Sequence, residues 1–266
     1  MQQIEKISSI LTREGIGIFG ICAFKRLAGC LRVCAAKTRL PQNAQSVIMC
    51  LFPYKTGCVP RNISRYAVVR DYHEVAGHML DNSAKGLAWE FPGNRFVWFT
   101  DNSPIPEVYA ASLCGLGKRG DNGLLIHEKY GSWVFIGEIV TDLALPESGK
   151  NTGIKECGHC GVCAQACPAG ALAAGDISLC LSGISQKKGK LTARERELLR
   201  KSESAWGCDA CQEACPLNRQ AACTGIKEFL EGQIPVIDCD TTLHGRAFAW
   251  RGREVIRRNV EIITNR

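Results

Sequence analysis

The 266-residue sequence predicts an α+β chain in two parts, and three observations carry that expectation. Apolar, β-branched runs alternate with helix-spaced stretches as far as about residue 145. A polar, glycine-bearing segment, "LPESGKNTGIKE", follows at 145–156. Beyond it the cysteines crowd together at fixed spacings between 157 and 215. The predicted boundary is therefore near 145–155, giving one domain over 1–150 and a second over 151–266.

Each element of the first part has a local reason. Residues 1 to about 14 read as a helix. "SVIMCLFPY" (46–54) is a short apolar run stopped by proline, as in a buried strand. "SRYAVVRDYHEVAGHMLDNSAKGL" (64–87) reads as one helix with Ser64 as its cap, because Tyr66, Val69, Tyr72, Ala76, Met79 and Leu80 recur at helical spacing. "NRFVWFT" (94–100) is a strand by its aromatic and β-branched content, and "DNSPIPE" (101–107) is a turn. A short helix from about Pro106 ends at Gly115, in the position of a C′ glycine. "GLLIH" and "SWVFIGEIV" flank "EKYG" and predict a hairpin. No repeat at a 20–50 residue period is visible.

Composition narrows the class. About 45% of residues are hydrophobic, enough for a sizeable core. No apolar run reaches the roughly 20 residues that span a bilayer, so no membrane partner is expected. The N-terminus lacks a basic start, apolar core and cleavage site, and reads as a mature cytoplasmic start. Sixteen cysteines in so long a chain without an export signal point to metal ligation rather than a disulfide scaffold. The net charge of +7 permits a polyanionic partner.

"CGHCGVCAQACP" (157–168) holds four cysteines as C-x2-C-x2-C-x3-C followed by proline. The first three thiolates of such a loop face one point and suit three corners of a cubane iron–sulfur cluster. The fourth points to a second cluster, so the motif implies a partner motif. "CDACQEACP" supplies it with Cys208, Cys211 and Cys215. The two motifs give seven thiolates where two cubanes need eight, and Ala205 stands where the remaining one is expected. Cys180 in "DISLCLSG" is the best eighth, ahead of Cys223 and Cys239. Cys157, Cys160, Cys163 and Cys215 are thus assigned to one 4Fe–4S cluster, and Cys167, Cys180, Cys208 and Cys211 to the other, in a ferredoxin-like module. A structural zinc site would use only four of these cysteines. His159 inside the first loop reads as a spectator.

Two such clusters conduct electrons singly, so the first domain either holds an acceptor or only docks partners. Three stretches there invite a catalytic reading. Asp71, Tyr72 and His73 stand together, Asp101 ends an apolar strand before a turn, and "CGLGKRGDNGLLI" has four glycines in nine residues. Plainer alternatives stay open: Asp101 as a turn cap, His73 as a satisfied half-buried histidine, Asp121 and Asn122 as turn formers. The glycine loop matches neither a dinucleotide fingerprint nor a P-loop. Cys114, with no partner indicated, reads as a small buried residue.

In this order, "RYAVVRDYH" (65–73), "DNSPIPE" (101–107), "GLGKRGDNGLLI" (115–126), "YGSWVFIGEI" (130–139) and the cysteine pattern resemble the epoxyqueuosine reductase family over about Ala44 to Asn259. The resemblance implies a nitroreductase-like corrinoid-binding domain ahead of the cluster module. It implies a cobalamin whose cobalt, reduced through the clusters, opens the epoxide of epoxyqueuosine in tRNA to give queuosine. Asp101 would be the general acid, its carboxyl raised in pKa by burial, with Asp71, Tyr72 and His73 around it. Arg65, Gly115, Gly117, Gly120 and Asn122 would contact the cofactor. A flavodoxin or ferredoxin would be the electron donor.

The sequence departs from the family pattern at Lys118, where tryptophan is expected, at Asp121, where lysine is expected, and in a shorter, cysteine-bearing stretch between Phe19 and Pro41. The expectation is a short member without the helical-repeat extension, in which the basic segments 186–201 and 251–259 meet phosphates, although the first also reads as a solvated charged helix. The alternatives are a corrinoid reductase of another small-molecule substrate and a plain electron carrier.

Overall fold

A computed structural model describes residues 2–148 and 153–264, so 149–152 of the boundary segment lie outside the described residues. The helices, in chain order, are α1 (Gln2–Arg13), α2 (Arg65–Val68), α3 (Tyr72–Glu90), α4 (Glu107–Leu113), α5 (Val162–Gln165), α6 (Ala171–Ala174), α7 (Leu181–Ser185), α8 (Ala193–Ser202), α9 (Ala210–Glu213), α10 (Lys227–Leu230) and α11 (Arg253–Thr264). The strands are β1 (Phe19–Ala23), β2 (Ser46–Pro53), β3 (Phe96–Thr100), β4 (Lys118–Arg119), β5 (Leu125–Ile126) and β6 (Val134–Thr141). None of the helices is long and apolar enough to cross a membrane among the described residues.

The chain forms two compact units. The first comprises 1–53, 72–128 and 134–157, and the second 54–71, 129–133 and 158–266. The α+β class is as the sequence predicts: the first unit is built on an antiparallel sheet of order β1-β2-β6-β3. β2 is buried along its whole length because helices cover both faces, which explains its unbroken apolar run. Alternate β6 residues point to opposite faces. Gly137 faces α3, where a side chain would collide with Leu80, while Glu138 faces the opposite layer with Val140 and α4. That layer is an apolar cluster including Cys22, Met49, Leu51, Phe99, Ala110, Cys114 and Val140.

Three local readings are corrected. The predicted 64–87 helix is two helices with a break at 69–71, where the Arg246 guanidinium donates to Val68 O (3.3 Å) and Val69 O (3.4 Å) and Asp71 N–H donates to Gly245 O (2.9 Å). Ser64 makes no side-chain cap; Asp209 Oδ2 takes the Arg65 N–H instead, at 2.7 Å. The predicted hairpin across "EKYG" is absent among the described residues. β5 pairs with β4, and β6 pairs with β2 and β3, because the long apolar β6 buries more against the central sheet.

The second unit is helical, with one core around Trp206, Phe248, Val255 and Ile256, and another around Leu181, Leu199 and Ile262. α8 starts with a capping box between Thr192 and Glu195, as its charged sequence suggests. Asn259 on α11 is fully buried and ties the unit together, donating to Ser185 O (2.7 Å) and Ala205 O (2.8 Å).

Candidate functional site

The cysteine motifs sit on short helices of the second unit. α5 carries Cys163, α9 carries Cys211, and the two helices pack together. Each motif ends at proline, and after Cys215 the chain turns through a single 3-10 turn, Pro216–Asn218. Cys180 caps α7. It lies with Cys167 near Cys208, whose thiol is pushed up by burial and by the charges of Cys180, Asp209 and Cys167. Those three sulfurs are the ones assigned to the second cluster from spacing. Cys223 instead donates to Thr56 O at 3.6 Å, and Cys239 packs against the apolar core around Trp206. Cys157 is the last residue of the first unit, its N–H on Arg119 O at 2.9 Å.

Two devices hold the second motif in place. Gly207, just before Cys208, has φ +73°, and a Cβ there would sit 2.0 Å from Ser64 Oγ, so only glycine fits. Asn218, three residues beyond Cys215, is buried; its Nδ2 donates to Ser132 Oγ (2.8 Å) and Gln212 O (2.8 Å), and its Oδ1 accepts Ser132 N–H (2.8 Å). Sequence reading missed both, since neither residue type marks itself apart from its contacts.

In the first unit, the end of β3 and the start of α3 bring Asp101, His73 and Tyr72 together. His73 Nε2 lies 3.3 Å from Asp101 Oδ2. The Tyr72 ring stacks on Phe135, with centroids 4.1 Å apart, and lies 4.0 Å from the His73 ring. Asp101 is left-handed, φ +61°, a region that aspartate tolerates and most residues avoid. The expected environment of its carboxyl is corrected. The side chain is 63% exposed, and the His73 hydrogen bond, opposed by partial burial and helped by Arg32 and Tyr72, lowers its pKa.

In the first unit the carboxyls raised by burial are two others, which sequence reading did not single out. Glu138 has no exposed surface and its pKa lies well above the ordinary range, through burial and then the charge of Glu107. Glu107 is pushed up to about 8 by burial and then by Asp101. Ser103 Oγ donates to Glu138 Oε1 and accepts Ile105 N–H at 3.0 Å, while Glu107 Oε1 is buried without a hydrogen-bond partner among the described residues. The signal of Glu138 in the sequence was an acidic residue amid the apolar run "WVFIGEIV".

The remaining predicted positions are placed as follows. Asp71 falls in the second unit. Arg65 is there too, buried, with Nε 2.9 Å from Glu213 Oε1 and its guanidinium 5.3 Å from the Trp133 ring. Gly117 approaches its own chain, since a Cβ would lie 2.6 Å from Ile126 O. Gly120 N–H bonds Leu124 O (2.9 Å), and Asn122 Oδ1 takes the Leu124 N–H (3.3 Å), so the glycine loop closes the β4–β5 turn. Gly115, φ +77°, follows α4 as read from the sequence. Cys114 does have a neighbour: it shares an apolar core cluster with Cys22, and the two thiols shift one another's pKa.

The chain is similar in sequence and fold to known proteins. Residues 35–102 match the family model described as epoxyqueuosine reductase QueG, DUF1730, and residues 156–218 match the 4Fe-4S double cluster binding domain. All eight assigned cysteines lie inside the second match, and Cys223 and Cys239 outside it. An epoxyqueuosine reductase of Gloeobacter violaceus is 40% identical over 166 residues, covering 60% of this chain and 50% of that protein. One from Listeria monocytogenes is 34% identical over 212 residues, 74% of this chain and 55% of that protein. The chain thus spans about half the length of these relatives. The fold matches the structure of epoxyqueuosine reductase from Streptococcus thermophilus with a TM-score of 0.80 at 22% identity, over 99% of this chain and 81% of that one. It also matches an epoxyqueuosine reductase crystallised with an epoxyqueuosine-modified tRNA-Tyr stem loop, with a TM-score of 0.82 at 23% identity over 98% and 80%.

Proposed function

Because the chain belongs to the epoxyqueuosine reductase family, we propose that it is a cobalamin-dependent iron–sulfur reductase that converts epoxyqueuosine to queuosine in tRNA. The observation that carries the reading is the Asp101–His73 contact, 3.3 Å at an exposed strand end, in a chain that also bears a double-cluster domain. The reaction takes an epoxide, two electrons and two protons to an alkene and water.

The thiolates of the cluster domain suit two 4Fe–4S centres, which supply electrons singly, and a corrinoid, when bound, supplies a strongly reducing, nucleophilic metal. Two features of the first unit fit a bound group at the Asp101 edge. The Asp101 carboxylate is open to solvent, and Thr100 Oγ1 beside it is buried without a hydrogen-bond partner among the described residues. The glycine loop adds nothing to that fit, being occupied with its own turn.

The chain's own residues supply position and protons. Tyr72, stacked on Phe135, holds the His73 ring beside Asp101. A carboxylate of lowered pKa does not keep a proton alone near neutral pH. The Asp101–His73 pair therefore delivers the proton as a unit, at Asp101 Oδ2 or His73 Nε2, to the leaving oxygen. We place the reaction in the cytoplasm, with a flavodoxin or ferredoxin as electron donor.

Anaerobic reconstitution with iron, sulfide and cobalamin, followed by turnover of an epoxyqueuosine-bearing anticodon stem loop, tests the proposal. Queuosine formation, lowered about 100-fold or more in Asp101→Asn with the cluster spectrum unchanged, is the expected result. No queuosine from the loaded wild type would overturn the reading. Equal turnover by Asp101→Asn would remove the acid role.

A further inference from the structure

The second cysteine motif is fastened along one side to the residues that precede α2. Ala205 N–H donates to Asn62 O (2.7 Å), Ser64 N–H donates to Trp206 O (2.8 Å), and Ile63 and Trp206 form a parallel bridge. The next bond in this row leaves the backbone. Arg65 N–H donates to Asp209 Oδ2 at 2.7 Å, inside the motif between Cys208 and Cys211. Arg61 Nη2 reaches the same oxygen at 3.3 Å. Both arginines then meet Glu213, which stands between Cys211 and Cys215. Arg61 Nη2 lies 2.5 Å from Glu213 Oε1, and Arg65 Nε lies 2.9 Å from it. Asp209 and Arg65 are buried, while the side chains of Arg61 and Glu213 are 20% and 44% exposed. Two guanidiniums and two carboxyls thus form a closed circuit, with both carboxyls in the motif. Charged groups so far out of water are costly unless they are paired, and here each has a partner.

We propose that Arg61, Asp209 and Glu213 are positioning residues for the clusters: the circuit anchors the loop that carries Cys208, Cys211 and Cys215, and the Arg61–Glu213 pair sets the potential at which a bound cluster takes an electron. The inference rests on the cysteine assignment. In that assignment Cys208 and Cys211 hold one cluster and Cys215 the other, so the loop supplies ligands to both. Asp209 ties it down between its first two ligands, and Glu213 between its second and third. Arg65, expected from the resemblance to contact the corrinoid, instead uses its backbone N–H and its Nε here. The second effect is electrostatic. A cluster that gains an electron becomes more negative, so a nearby cation favours reduction and a nearby anion opposes it. Arg61 is a permanent cation. Partial burial raises the Glu213 carboxyl, but the hydrogen bonds and charges of Arg65 and Arg61 outweigh it and lower its pKa, so Glu213 is an anion at neutral pH. Paired, the two charges offset each other. Deleting either leaves the other exposed to the cluster, with opposite sign.

The full chain, reconstituted anaerobically with iron and sulfide, gives two readouts that need no substrate. Iron release to a chelator tests the anchor. Asp209→Ala removes the acceptor of the Arg65 N–H and should release iron at least about tenfold faster than wild type, whereas Asp209→Asn keeps an oxygen there and should stay within about threefold. Redox titration followed by electron paramagnetic resonance tests the charges. Arg61→Gln should lower the potential of at least one cluster and Glu213→Gln should raise it, each by about threefold or more in the one-electron equilibrium, tenfold being about 59 mV. The double variant should return to within about twofold of wild type. A loop that is merely held in place gives no reason for opposite signs. Equal iron release from Asp209→Ala and wild type overturns the anchor. Shifts of the same sign in the two single variants, or shifts below about threefold in both, overturn the electrostatic role. A wild type that binds only about four irons overturns the cysteine assignment and the inference with it. One that binds about eight but reduces no epoxide overturns the functional reading and leaves the circuit standing.

Discussion

Glu138→Gln is the perturbation whose magnitude the structure fixes best. Glu138 has no exposed surface, and its pKa is raised through burial and the nearby Glu107. The folded chain therefore binds a proton that the unfolded chain releases once pH exceeds the ordinary carboxyl value, 4.5. Stability must then fall as pH rises through that window, at up to about 1.4 kcal/mol per pH unit for one group. Between pH 5 and pH 8 that slope sets an upper bound of about 4 kcal/mol. Glutamine is nearly isosteric and has no such proton to hold. Whatever the introduced amide gains or loses against Ser103 is the same at both pH values and cancels in the comparison. The assay is anaerobic guanidinium unfolding of the loaded protein at pH 5 and pH 8, followed by the fluorescence of its five tryptophans. The difference in unfolding free energy between the pH values should shrink by up to about 4 kcal/mol in the variant. Wild type and variant agreeing within about 1 kcal/mol would mean that Glu138 is ionised in the fold, and the account of the buried pair would fail.

Other outcomes follow from the second unit. Asn218→Ala removes three hydrogen bonds at 2.8 Å and strands buried partners on Ser132 and Gln212, so it should cost about 3–4 kcal/mol in denaturant unfolding. Cys180→Ser should lower anaerobically measured iron from about eight to about four per chain, whereas Cys223→Ser or Cys239→Ser should leave it at about eight. Loss of a cluster in Cys239→Ser and not in Cys180→Ser would reverse the choice of eighth ligand.

Local chemistry made parts of this protein legible. The strand over Ser46–Pro53 shows in an unbroken apolar run, and α8 in the charged helical stretch within 186–201. Cysteine spacing singled out Cys180, and the structure sets it with Cys167 near Cys208. The helix break at 69–71 was hidden because Arg246 and Gly245, far along the chain, make it. The hairpin expectation across "EKYG" failed because strand partners are chosen by what the sheet buries, not by loop length alone. Asp101 was found from the sequence, yet its environment was misjudged, since exposure and the His73 contact are properties of two distant segments.

The sequence by itself determined the ligand inventory, the order of the motifs and the periodicity of the main elements, all of which depend on residues a few positions apart. Only the tertiary structure decided which carboxyls are buried. Desolvation is set by every atom that replaces water around a group. Thus Asp101, at the end of β3, meets solvent and His73, while Glu138 is shut away on β6 and Glu107 is half-buried with an enclosed Oε1, and desolvation raises both.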